Sequence, residues 1–230
     1  MRIKYGRVLP LVGLLAAAVL PMPLMAKTTA EACFNADLYQ QGNQYRLVSP
    51  KTSAMLSYHM LAPDNFNGQP VAREQESYAA TQYSEPSVST YQYQLDKQQL
   101  QRRELAVVWR ENGRDKYIEH TPAKVMPFNL GVGEQFSQTV AAKFDGSGGG
   151  NQLKFTWTFV GMEPLTVAAG EFSTCHFEQI TEVTDASGES QTFHASHWFA
   201  AQSGVPVKMV TQKDTFELES ADIQGQHFPQ

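Results

Sequence analysis

Between residues 153 and 160, Leu153, Phe155, Trp157 and Phe159 fall on one phase while Lys154, Thr156 and Thr158 fall on the other. That period of two is the signature of a strand with one apolar and one polar face. Tyr91, Tyr93 and Leu95 repeat the pattern, and Phe136, Val140 and Phe144 repeat it less cleanly among Gln135, Ser137, Gln138 and Thr139. Leu105, Val107 and Trp109 lead into Glu111-Asn112-Gly113-Arg114, where Asn-Gly supplies the positive φ angles of a tight hairpin, and residues 117–121 read as the returning strand.

Turn signals recur at Gln41-Gly42-Asn43, at Asn67-Gly68, and within residues 131–133, 145–151 and 185–188, the spacing of a β meander. Helical period is nearly absent. Residues 96–104, rich in Gln, Lys, Arg and Leu, read as a turn followed by a strand, while residues 63–73 and 84–87 read as loops. The expectation is an all-β protein: a single large antiparallel curled sheet, folded as a partly closed barrel or a sandwich of about 10 to 12 strands. No internal repeat or linker divides residues 27–230, which are expected to form one domain.

The start of the chain departs from this pattern. Arg2, Lys4 and Arg7 precede an apolar run over residues 8–20 and a short tail ending in Ala26, the layout of a secretory signal peptide cleaved after Ala26. The run is too short to span a bilayer, which takes about 20 apolar residues. Cys33, behind Ala30, Glu31 and Ala32, is badly placed for lipid attachment, so a soluble exported protein is expected, periplasmic in a Gram-negative cell. No later segment is long and apolar enough for a transmembrane helix. The whole chain of 230 residues carries a net charge of −5, and the leader removes only basic residues, so the mature chain is more acidic still. That balance disfavours nucleic acid and anionic lipid surfaces as partners. The adjacent Arg102 and Arg103 read as a solvated strand edge or turn. Export puts Cys33 and Cys175 in an oxidising compartment, where one long-range disulfide is the simplest pairing.

The C-terminal half carries ordered short motifs: Val167-Ala168-Ala169-Gly170-Glu171-Phe172-Ser173-Thr174-Cys175, then Trp198-Phe199-Ala200, then Gly204-Val205-Pro206-Val207-Lys208, then Glu217-Leu218. With Asp37-Leu38-Tyr39-Gln40-Gln41-Gly42-Asn43-Gln44-Tyr45 near the start, this resembles a family of exported bacterial β proteins catalogued as domains of unknown function or as TapB-like. The resemblance implies a curled sheet akin to those of lipoprotein carriers and brings no activity with it. In that setting Ala169-Gly170 makes a tight turn, Phe172 re-enters the core, Cys175 ties its strand to Cys33, Gly204 serves a loop and Trp198 caps the core.

Candidate chemistry is sparse. Of the six histidines, only His194 and His197 are close in sequence, and residues three apart in a strand face opposite sides, so no metal site is expected from them. Ser147 in the glycine-rich stretch 146–150 lacks the context of a nucleophile elbow, and the strand expected after it rules out a phosphate cradle, which needs a helix N-terminus. Glu178 and Glu182 share a strand face as solvated acids. No catalytic residue and no cofactor is assigned. The aromatic faces remain: Tyr91, Tyr93, Phe155, Trp157, Phe159 and Trp198 either fill a core or line a concave sheet that accepts an apolar ligand. The function expected is non-catalytic binding of an apolar small molecule or lipid. The alternative is an envelope assembly or structural factor that binds a protein partner, with a hydrolase behind both.

Overall fold

The computed structural model describes residues 29–81, 83–145 and 150–228; the expected signal peptide, residues 1–26, lies outside them. Two short 3-10 turns, Ala30–Cys33 and Ala36–Tyr39, precede the strands. The strands are β1 Gln44–Val48, β2 Met55–Phe66, β3 Gln69–Ala79, β4 Ser87–Asp96, β5 Gln101–Glu111, β6 Arg114–Pro127 and β7 Gln135–Phe144. They continue with β8 Gly150–Val167, β9 Gly170–Thr184, β10 Ser190–Ala200, β11 Pro206–Thr211, β12 Thr215–Ile223 and β13 Gln226–Phe228. Each strand pairs antiparallel with the next, and β1 also pairs with β12, so β1 to β12 close into a barrel with β13 appended to β12.

The hairpins form where the turn chemistry demands them. Asn112 and Gly113 take φ of 50° and 74° between β5 and β6, and Asn67 and Gly68 take 51° and 77° between β2 and β3. Residues 63–73, expected as a loop, are therefore the distal part of a long hairpin. Its register shifts between Leu61 and Asp64, which puts Pro63 in an irregularity, and Pro70 lies beyond the last β4 partner, where no ladder bond is lost. This hairpin arm lies over the outer wall: the Phe66 ring meets Tyr117 edge-on at 6.4 Å and Gln94 donates to Gln69 at 2.7 Å. Outward-facing Val71, Gln92 and Ala106 are buried as a result.

The N-terminal segment plugs one end of the barrel. Ala30 N–H donates to the Leu130 carbonyl at 3.0 Å, Asn43 donates to the carbonyls of Asp37 and Leu38, and Asn35 donates to Gln202. Cys33 is bonded to Cys175 on β9 across a separation of 142 residues. Gly204 adopts φ +71°, and a Cβ there would stand 3.1 Å from the Cys33 carbonyl oxygen, so the plug seats against bare backbone. At the same end the β8–β9 hairpin turns through Ala168, Ala169 and Gly170, and Ala169 N–H donates to the Leu218 carbonyl of β12 at 3.2 Å. Two apolar clusters fill this end, one around Leu47, Val207 and Leu218 and one around Phe159, Phe177 and the disulfide.

Candidate functional site

Alternation around a closed barrel aims every second side chain into one lumen. Tyr45 faces Tyr58, Tyr58 faces Glu76, Glu74 faces Tyr91, and Tyr91 faces Val107 across successive strand pairs. The series continues with Ile118 opposite Phe144, Val140 opposite Leu153, Leu153 opposite Val183, and Thr181 opposite Phe193. Toward the plug these inward side chains are buried. Toward the other end they are not: Tyr78, Phe144 and Phe193, on β3, β7 and β10, are 39, 42 and 43% exposed, with Trp109, Leu153 and Val183 half-buried. Water reaches an apolar inner wall at that mouth.

Between mouth and plug runs a polar belt. Tyr45 donates to Glu74 Oε1 at 2.7 Å and stacks on Tyr58 at 4.5 Å. Tyr91 donates to Glu76 Oε1 at 3.4 Å and lies parallel to Tyr93 at 6.0 Å. Arg102 donates to the Tyr39 hydroxyl at 2.8 Å with its guanidinium 4.8 Å above the Tyr93 ring. The buried Glu104 stands 3.3 Å from His120 Nδ1 and 3.5 Å from Lys124 Nζ, and Lys124 covers the Phe155 ring at 4.7 Å. On the facing wall His197 Nε2 lies 3.1 Å from Gln179 Oε1, with the Trp157 ring 5.4 Å away.

Burial sets the protonation of these groups. It pushes the Glu74 and Glu76 carboxyls up, against the pull of Arg102 on Glu74 and of Tyr58 and Tyr91 on Glu76. It raises the Tyr39 hydroxyl to about 12, with the Arg102 charge opposing it. It lowers His197 to about 3, helped by Lys124 and Arg102. His197 is thus neutral at physiological pH and donates through Nε2 to Gln179.

The sequence-derived aromatic set separates on this geometry. Tyr91, Tyr93, Phe155, Trp157 and Phe159 all point inward, but only Tyr91 is more than marginally exposed; Phe159 is wholly enclosed with Phe177 near the disulfide. Trp198 does not join them. It pairs with His176 and Lys208 on the outer face, stacks on the His176 ring at 4.2 Å and donates to Glu163, so it caps no core. Arg102 corrects the expectation of a solvated edge: it points into the lumen while Arg103 points out, because the register shift between Glu104 and Ala106 changes the phase of β5. His194 faces out and His197 in. Glu178 and Glu182 are on the outer wall, where Glu182 pairs with Lys154 at 2.9 Å. Residues 146–149 of the glycine-rich stretch lie outside the described residues. Among the described residues no group of three His, Cys, Asp or Glu is placed to hold a metal.

The belt residues Glu74, Glu76, Glu104, Arg102 and Lys124 are absent from the sequence-derived set. Alternation alone finds two of them, since Glu74 and Glu76 share the phase of Tyr78 on β3, whereas Arg102 and Glu104 lie beyond the register shift in β5.

No family model matches the chain and no curated protein matches it, so the TapB-like resemblance gains no support there. Among solved structures the chain is similar to a Bacteroides fragilis protein assigned as exported, with a YmcC-like fold: TM-score 0.49, 11% identity, covering 79% of this chain and 96% of that one. It is similar to the same degree to a Parabacteroides distasonis protein assigned as a lipoprotein: TM-score 0.49, 10% identity, covering 80% of this chain and 96% of that one. At such identities no residue role transfers.

Proposed function

We propose that this protein is exported to the periplasm and there holds an apolar small molecule or lipid in its barrel lumen without transforming it. The observation that carries the proposal is the mouth: Tyr78, Phe144 and Phe193 point inward from three separate walls, yet each remains about two-fifths exposed. A monomer rarely leaves such aromatics facing a common space unless something fills it. Export rests on the basic, apolar and small-residue layout of residues 1–26.

The wall orientation favours water outside the barrel. Arg46, Ser57, Gln75, Lys154, Glu182 and Ser196 lie on the outer face, whereas a membrane barrel presents an apolar band to lipid and a polar lumen. A non-catalytic role is favoured because the carboxyls of the belt are engaged by their neighbours: Glu74 with Tyr45, Glu76 with Tyr91, and Glu104 with Lys124. A neutral apolar fluorophore titrated into the folded protein tests the proposal. Its emission should rise saturably, and Phe193→Glu, which puts a charge at the mouth without touching the plug, should weaken binding at least about tenfold, roughly 1.4 kcal/mol. An unchanged affinity in Phe193→Glu, or no binding to the native protein, contradicts it.

A further inference from the structure

Two cations are directed into the lumen. Lys124 reaches Glu104 only at 3.5 Å, and its side chain keeps 24% of its surface accessible. Arg102 is fixed by the Tyr39 hydroxyl and the Tyr93 face, and among the described residues no ion pair to it is found within bonding distance. Two residues along the same inward face of β8 from Phe155, whose ring Lys124 covers, the indole Nε1 of Trp157, 3% exposed, has no acceptor among the described residues. A buried donor without a partner is costly, so an acceptor supplied from outside is favoured there. The belt also holds carboxyls, but Glu74 and Glu76 are each engaged by a tyrosine hydroxyl, from Tyr45 and Tyr91, and only Glu104 stands within 3.5 Å of Lys124. Above Lys124 the wall is apolar through Val140, Leu153 and Val183 up to Phe144 and Phe193.

Building on the lumenal binding proposed above, we infer that the ligand is a single-chain amphiphile with an anionic head, the head seated by Lys124 and the Trp157 N–H and the chain lying along the apolar wall toward the mouth. Charge complementarity decides the head, since a charge-assisted hydrogen bond in a partly dry site is worth more than a neutral one. Calorimetric titration of hexadecanoate, hexadecyl phosphate, hexadecanol and hexadecyltrimethylammonium into the disulfide-bonded protein separates the cases. At least one of the two anions should bind about tenfold or more tighter than the alcohol, and the stronger of the two names the head. Lys124→Met should erase that preference while alcohol binding persists, and Lys124→Arg should restore it. Alcohol binding equal to both anions, or the ammonium binding tightest, overturns the anionic head while leaving lumenal binding intact. If none of the four binds, the lumenal proposal itself fails.

Discussion

His197 shows how one residue's facing decides its chemistry. On β10 it looks into the lumen between Trp157 and Phe199, while His194, on the opposite phase, meets solvent. Burial holds His197 near 3, far below the value near 6.5 that an unfolded chain gives it. As pH falls between those values the unfolded chain takes up a proton that the folded one refuses, so stability is lost on acidification through that window. His197→Gln should therefore show a shallower fall in melting temperature than the native protein between pH 7 and pH 4, followed by circular dichroism. Parallel curves would sink the assignment. The opposed facing of the two histidines was legible from alternation alone. The outward placement of Trp198 was not, because an aromatic on an outer wall, stacked on His176 and bonded to Glu163, looks in sequence like any core aromatic.

At the scale of elements, the plug and the arm are the pieces that local pattern did not reveal equally. The Cys33–Cys175 bond was readable from the signal-peptide layout and a cysteine count of two, and it fixes the plug to β9. The outward arm was hidden by Pro63 and Pro70, which punctuate residues 63–73 as a loop although the Asn67-Gly68 turn marks a hairpin. The β5 bulge hid Arg102, because a period-two reading carried through Glu104 and Leu105 loses phase at the extra residue. Replacing both cysteines by serine removes a cross-link over a long loop and should lower unfolding free energy by about 2 to 5 kcal/mol in urea titration. The barrel strands keep their ladders in that variant, so the far-ultraviolet spectrum should stay native. A loss of strand signal in buffer would show that the plug nucleates the barrel and does not merely close it.

For the whole molecule, the decisive pairing is β1 with β12, from Gln44 against Asp222 to Val48 against Glu217. Alternation tells which side chains share a face, but not whether that face meets a second sheet or curls onto itself; that choice depends on contacts between chain ends which no local period encodes. Closure turns the apolar faces inward on one lumen, plugged at one end and exposing Tyr78, Phe144 and Phe193 to water at the other. The three tryptophans report on this directly: Trp109 is inward near the mouth, Trp157 inward and deeper, and Trp198 on the outer face. Single-tryptophan variants titrated with a fatty acid brominated along its chain therefore give the sharpest test of lumenal binding. Trp109 emission should be quenched saturably while Trp198 emission stays unchanged. Quenching of Trp198 to the same extent, or of neither, would contradict a ligand held inside the barrel.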